Sequence, residues 1–352
     1  MQASHWVVRG SSPASCSYAC PQAGGREGRF TPSPTGTRRG PEVAQAVATT
    51  GPAAITSISL QRQLPDLPKA ATIDTPPSLG WQPLERHHTR DVLWAKIREE
   101  AEQDANAEPA LASFLHTTIL VHPSFAKSMS CLLANKLASQ TLLGTQLMRL
   151  ILDAYEDDPD ILEDAVADVQ AVFDRDPACE QYTQCILYFK GFQAVQSQRI
   201  AHWLWKKGRK ALAVALQSRV SDVFHVDAHP AARLGRGIMI DHATGVVIGE
   251  TAVVGDNVSL LHHVTLGGSG TGKGVRHPTI GHGVLLGAGV TVLGPVTVGA
   301  GSKVGAGSVV VTDLPCHCVA VGVPARVIKQ ECRREPSMDM DQCKDLLLDY
   351  QI

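Results

Sequence analysis

Aromatic residues are scarce. Phe, Tyr and Trp make up 5% of the 352 residues, against 31 glycines. So few rings beside so much Gly, Val and Ile point to a repetitive β architecture over part of the chain. No two cysteines are spaced as CxxC, and the nine cysteines are an odd number. That excludes a zinc ribbon and a disulfide framework, and indicates a reducing compartment. Cys316-His317-Cys318 carries metal-ligating groups, but one tripeptide supplies too few convergent ligands for a closed site. No apolar run approaches the roughly 18 residues of a membrane-spanning helix, so none is expected. No basic stripe interleaved with aromatics exists, so nucleic acid is not an expected partner. Acidic residues are nearly absent from the first sixty positions: Glu27 and Glu42 stand against Arg9, Arg26, Arg29, Arg38 and Arg39, a balance of +3. With a net charge of −2 overall, the remainder carries −5.

Four regions follow. Residues 1–80 are rich in Ser, Pro, Gly, Ala and Arg and lack sustained periodicity. They cannot bury enough apolar surface to order themselves, and their composition matches an organellar transit peptide. Abundant Ser, Thr and Pro favour a plastid over a mitochondrial address. Residues 81–224 read as helical. Asp91 stands at a plausible N-cap, and apolar faces recur at Leu111, Phe114, Leu115 and Ile119 and again at Leu142–Ala154. Breaks fall at Asp157-Asp158-Pro159 and Asp176-Pro177. One long helix is expected from Cys179 to Trp205, ended or kinked by Gly208.

At residue 225 the period changes. Ile248, Val254, Leu260 and Leu266 are six apart, as are Ile280, Leu286, Val292, Val298, Val304 and Val310. Neither a helix nor a simple strand has period six. A parallel β-helix does, with one short strand and one turn per hexapeptide. Leu234 and Ile240 begin the series, with a two-residue slip before Ile248. Between Leu266 and Ile280 the spacing is fourteen, so the Gly-rich run ending in Arg276-His277-Pro278 must leave the coil as a loop, often the binding face in a solenoid. The fold class is therefore α+β: a helical domain, a β-helix over 225–328, and a flexible tail over 329–352.

Histidines gather where the coil begins: His225, His229, His242, His262, His263, His277 and His282. A metal site and general-base catalysis both fit that density, and the residues alone leave the choice open.

Several runs resemble serine O-acetyltransferases. In the coil they are Asp227-Ala-His-Pro230, Gly237 to Gly245, Gly249-Glu-Thr-Ala252, Val264-Thr-Leu-Gly-Gly268, Arg276-His277-Pro278 and Gly322-Val-Pro-Ala-Arg326. In the helical region they are Ala112 to His116, Leu133 to Leu137, Arg175-Asp-Pro-Ala178, Lys190-Gly-Phe192 and His202-Trp-Leu-Trp205, and in the tail Pro336 to Gln342. The resemblance covers roughly residues 90–352. It implies a left-handed coil that transfers acetyl from acetyl-CoA to the hydroxyl of L-serine, with no metal or prosthetic group. It implies His242 as general base, with Asp227 hydrogen-bonded to its other ring nitrogen. It implies Asp176 and Asp241 on the serine ammonium and Arg276 on its carboxylate, where bidentate geometry makes Arg276→Lys non-conservative. His277 completes the pocket from a neighbouring subunit. Acetyl-CoA lies along a groove near Gly268, Ala288 and Ala306, with Lys303 meeting a phosphate. L-Cysteine is the expected feedback inhibitor, although the acidic residue the family commonly has before Arg-His-Pro is here Val275. Ile352 is expected to enter O-acetylserine sulfhydrylase in a cysteine synthase complex, and a homo-oligomer, a trimer or a dimer of trimers, is expected. Two other readings remain: a γ-carbonic-anhydrase-like metal enzyme on the same coil, and a catalytically weak regulatory subunit of the complex.

Overall fold

The computed structural model of the chain describes residues 89–270, 272–330 and 335–342. Residues 1–80, expected to be a transit peptide, and Ile352, expected to engage a partner, lie outside the described residues.

Among the described residues, eight α-helices precede the coil: α1 Arg90–Ala107, α2 Pro109–Leu115, α3 Phe125–Leu137, α4 Gly144–Asp157, α5 Asp160–Arg175, α6 Tyr182–Tyr188, α7 Lys190–Lys206 and α8 Lys210–Phe224. Helix α2 runs on as a π-helical turn, His116–Leu120. No described helix is long and apolar enough to cross a membrane. The first helix is preceded by Thr89, not Asp91, which falls in its first turn. The expected long helix from Cys179 is in fact α6 and α7, parted at Phe189, whose backbone is extended (φ −85°, ψ 100°). Packing forces that break. Gly191 sits so close to the coil that a Cβ there would lie 1.9 Å from the Ile240 carbonyl oxygen. A helix running straight through Phe189 would not bring Gly191 into that contact.

The coil has three faces. Its strands in chain order are β1 Val226–Ala228, β2 Arg233–Leu234 and β3 Met239–Ile240 in the first turn; β4 Val246–Ile248, β5 Val253–Val254 and β6 Ser259–Leu260 in the second; β7 Thr265–Gly267, β8 Thr279–Ile280 and β9 Leu285–Leu286 in the third. The fourth holds β10 Thr291–Leu293, β11 Thr297–Val298 and β12 Lys303–Val304, and the fifth β13 Val309–Val310 and β14 Val319–Val321. Each strand pairs in parallel with its equivalent in the next turn, giving one sheet of β1, β4, β7, β10 and β13, a second of β2, β5, β8 and β11, and a third of β3, β6, β9, β12 and β14. A last strand, β15 Arg326–Lys329, closes the third sheet antiparallel to β14. The period-six aliphatics are the coil's core: Leu266, Val292, Leu260, Leu286, Val298 and Val304 are all fully buried. Each contributes about 1.5–3 kcal/mol by leaving water.

Register explains both irregularities. Ile248 pairs with Leu266 eighteen positions on, but Ile240 pairs with Leu260 twenty on, and Val254 with Ile280 twenty-six on. The two extra residues belong to the turn holding His242, and the eight extra residues to the loop before Arg276. Both insertions leave the coil at corners, where they do not disturb stacking.

The helices and the coil bury their apolar side chains in one continuous core. A buried polar joint locks them. Arg199 of α7 donates from Nε and Nη2 to Asp168 of α5 at 2.9–3.0 Å, and from Nη2 to the Gly235 carbonyl. Asp168 also accepts the Ile238 backbone N–H at 2.8 Å. Arg175 at the end of α5 donates to the Gly237 carbonyl, Ser259 Oγ and Asn257 Oδ1, and its burial pushes it down to about 10. The described part of the tail, residues 335–342, is docked on the body. A short helix, α9 Pro336–Asp339, buries Pro336 and Ser337, and the Ser337 carbonyl accepts from Ser259 Oγ at 3.1 Å.

Candidate active site

The three faces meet at three corners, and the candidate residues divide between two of them. At the corner leading from the third sheet into the first, the turn 241–245 bulges outward. His242 and Ala243 both adopt left-handed backbone, φ 56° and 59°, a conformation that costs non-glycine residues energy and recurs at functional sites. The turn is tied down behind: Gly245 N–H donates to the His225 carbonyl at 2.8 Å, and Lys190 Nζ donates to Thr244 Oγ1 at 2.5 Å. His242 is 75% exposed, and its Nε2 lies 3.7 Å from Asp241 Oδ2.

Opposite this turn stands the end of α5. Asp176, Asp241 and His242 line one cleft of about 370 Å³, walled by Tyr188, Phe189 and Met239. Asp176 is positioned by accepting the Ala178 N–H at 2.9 Å. Burial raises the Asp241 carboxyl above its ordinary range; His242 pulls it back, and the Asp176 charge pushes it up further. Two carboxylates that repel each other across a half-dry cleft are arranged for a cation between them. An ammonium placed there would relieve the repulsion.

Asp227 does not reach His242 in the isolated chain. It lies on β1, and its Oδ1 accepts from Gln217 Nε2 of α8 at 2.7 Å, with no hydrogen bond to the imidazole. The sequence shows no trace of that competition, because Gln217 is an ordinary surface position of a helix.

The second group occupies the corner between the first and second sheets. Arg276 makes a short ion-paired hydrogen bond to Glu250, which holds the Glu250 carboxyl below its ordinary range. His277 is buried, and its Nδ1 accepts the Thr251 backbone N–H at 3.2 Å with Thr251 Oγ1 at 2.9 Å. A nitrogen accepting from a backbone N–H is unprotonated, so the proton of the neutral ring sits on Nε2. Burial, then the neighbouring Arg276, lowers its pKa and keeps it neutral. Gly249 makes the room: a Cβ there would lie 2.0 Å from that Nε2. Glu250 and Thr251 lie within a run already matched to the family, yet their roles as partners of Arg276 and His277 emerge only once the loop folds back.

The corners are separated by the width of the first sheet, whose three-residue strands span about 10 Å. Asp176, Asp241 and His242 therefore do not meet Arg276 and His277 within one chain. Gly268 is at the Arg276 corner, whereas Ala288 and Ala306 are at the His242 corner, one and two turns beyond His262. Lys303 is engaged within the chain. It is 3% exposed, and its Nζ donates to the Asp341 carbonyl at 2.9 Å, so the docked tail occupies the ammonium expected to meet a phosphate. Among the described residues, no group of three or more His, Cys, Asp or Glu side chains is placed to hold a metal ion.

Residues 93–197 match the family model for the serine acetyltransferase N-terminal region, and residues 277–312 match that for six repeats of the bacterial transferase hexapeptide. The chain is 58% identical over 260 residues to a probable serine acetyltransferase 5 of Oryza sativa subsp. japonica, covering 72% of this chain and 76% of the rice protein. It is 52% identical over 252 residues to the serine acetyltransferase of Salmonella typhimurium, covering 72% of this chain and 92% of that one. Among solved structures, soybean serine acetyltransferase complexed with serine superposes with a TM-score of 0.67 at 55% identity, covering 70% of this chain and all of the other. A serine acetyltransferase in complex with cysteine superposes with a TM-score of 0.71 at 48% identity, covering 72% of this chain and 99% of the other.

Proposed function

Because this chain belongs to the serine acetyltransferase family, we propose that it transfers the acetyl group of acetyl-CoA to the hydroxyl of L-serine, giving O-acetyl-L-serine and CoA, the committed step of cysteine biosynthesis. The observation that carries this reading is the cleft in which Asp176 and Asp241 face a cation beside the exposed imidazole of His242. Serine's ammonium goes between the carboxylates, which directs the hydroxyl toward His242. That imidazole takes the hydroxyl proton as oxygen attacks the thioester carbonyl carbon, then returns it to the departing CoA thiolate. The acetyl group passes directly, without a covalent enzyme intermediate.

Serine's carboxylate needs a partner at the other end, and Arg276 supplies it from an adjoining chain. The reason is geometric: the ammonium half-site and the Arg276 half-site lie at different corners, and one amino acid is too small to span the sheet between them. A homo-oligomer, a trimer or a pair of trimers, places one corner against the other. Acetyl-CoA then lies between chains, along Ala288 and Ala306 of one and Gly268 of the next. Within a free chain Glu250 holds Arg276, so the substrate carboxylate must share or displace that partner. Cysteine carries the same ammonium and carboxylate and is the proposed feedback inhibitor. The composition of residues 1–80 supports a plastid address, in line with relatives from rice and Arabidopsis thaliana. O-Acetylserine sulfhydrylase is the proposed protein partner through the tail.

CoA release from acetyl-CoA, followed with L-serine, L-homoserine or no acceptor, tests the reaction. Serine-dependent release is the expected result. A folded oligomer with no serine-dependent release overturns it and leaves the regulatory-subunit reading. Binding gives a second test. Serine affinity, measured by calorimetry, is expected to fall as pH drops through the raised Asp241 pKa, because the protonated carboxyl no longer attracts an ammonium. Asp176→Asn removes the repulsive neighbour, so it weakens binding at neutral pH but moves the acid fall to lower pH. An unchanged acid profile in that variant would show that the two carboxylates do not share a cation.

A further inference from the structure

Helix α7 begins on a lysine. Lys190 is its first residue, and no acidic residue stands in its first turn. A cation there faces the positive end of the helix dipole, so the position runs against local preference. The break at Phe189 decides where that lysine goes. It sets the start of α7 against the coil, with Gly191 over the Ile240 carbonyl and the Lys190 ammonium on the Thr244 hydroxyl, Nζ to Oγ1 2.5 Å. Ile240 and Thr244 lie at the two ends of the turn that carries His242. The helix start therefore clasps that turn from both sides.

The turn needs such a clasp. His242 and Ala243 are consecutive left-handed residues, and neither is glycine. The Ala243 N–H donates to the Asp241 carbonyl at 2.6 Å, and the Thr244 N–H to the His242 carbonyl at 2.7 Å. Three-residue turns of this kind, closed around a central residue with positive φ, are rare and strained. Strained backbone persists only where its surroundings over-determine it. The Thr244 hydroxyl supplies the link. A lysine ammonium only donates, so Oγ1 accepts from Nζ and keeps its own hydrogen for an acceptor. The His242 carbonyl, 3.4 Å from Oγ1, takes it. One relay thus runs from the start of α7, through Thr244, to the peptide group that bears the imidazole.

We infer that Lys190 is a positioning residue for the general base: acting through Thr244 Oγ1, its ammonium holds the turn 241–245 in the shape that aims the His242 imidazole into the cleft. Lys190 itself lines that cleft. The two carboxylates are fixed by other bonds. Asp176 accepts the Ala178 N–H, and the Asp241 backbone N–H donates to the Leu260 carbonyl at 2.8 Å. Loss of the lysine therefore displaces the base and leaves the ammonium site in place, so it acts on turnover and spares serine binding. A general loosening of the fold would weaken both. The inference rests on the acetyl-transfer reading.

Steady-state CoA release and serine calorimetry on Lys190→Met, Lys190→Arg, Thr244→Val and Thr244→Ser, beside the wild type, test it. Lys190→Met keeps the stem and removes the donor; Thr244→Val keeps the shape and removes the hydroxyl. Each is expected to lower kcat by ~10–10²-fold, the loss that a misplacement of about 1 Å brings, with serine affinity within about threefold of wild type. Lys190→Arg and Thr244→Ser, which retain the donor and the hydroxyl, are expected to recover most of that loss. Lys190→Met combined with Thr244→Val is expected to lose no more than either change alone, because the two groups act in series. If Lys190→Met melts early, the pair Thr244→Val and Thr244→Ser carries the same comparison. A kcat within about threefold of wild type in a folded Thr244→Val, losses that multiply in the double variant, or weaker serine binding with kcat kept overturns the inference while the acetyl-transfer reading stands. A wild type with no serine-dependent release removes both.

Discussion

His242→Ala is expected to reduce serine-dependent CoA release by ~10²–10⁴-fold at neutral pH, the range that a positioned general base supplies. A serine hydroxyl is a weak nucleophile until its proton has somewhere to go, and His242 is the imidazole on the cleft that holds the two carboxylates. The change falls on kcat. Asp176 and Asp241 remain to hold the ammonium, so serine affinity by calorimetry stays within about threefold of wild type. The fold tolerates the change: the side chain is 75% exposed, and the turn's backbone bonds to His225 and His263 involve Gly245 and Thr244, not the imidazole. The melting temperature of the variant is therefore unchanged. A loss below about tenfold in a well-folded variant would show that the base is elsewhere.

Asp168→Ala is expected to cost about 3–5 kcal/mol of stability, on the order of 10 °C in Tm, measured by urea and thermal unfolding. Asp168 is fully buried and anchors Arg199, Gln196 Nε2 and the Ile238 N–H. Removing its carboxylate leaves the Arg199 guanidinium, itself 5% exposed, without its main counter-charge inside the joint between helices and coil. The double change Asp168→Ala with Arg199→Met is expected to be less destabilising than Asp168→Ala alone, because no uncompensated charge stays buried. If Asp168→Ala melts with the wild type, the joint is not what seats α5 on the coil. Serine binding should suffer as well, since α5 carries Asp176 at its end, facing Asp241 across the cleft.

Much of this was legible in the residues. The period of six between Ile280 and Val310 reads as a coil, because an aliphatic that recurs every sixth position has one place to go: the interior, stacked on its copy in the next turn. The two irregular spacings, before Ile248 and before Ile280, read as excursions, and they hold His242 and Arg276. The breaks at Asp157-Asp158-Pro159 and Asp176-Pro177 became the ends of α4 and α5. Phe189 was missed because its neighbours keep a helical pattern on both sides; the break brings Gly191 against Ile240, forty-nine residues away.

The sequence by itself determined the helical region, the coil and its core, and the family, because hydrophobic period and local breaks are properties of neighbouring residues. The tertiary structure alone decided what those residues touch. It joined Asp176 from one end of α5 to Asp241 and His242 from a turn of the coil, set Arg276 on Glu250 and Asp227 on Gln217, and buried Lys303 under the returning tail. It also set the two halves of the site at separate corners. Pairings of this kind bridge tens of residues and are chosen by packing and by the satisfaction of buried polar groups, neither of which leaves a period in the chain.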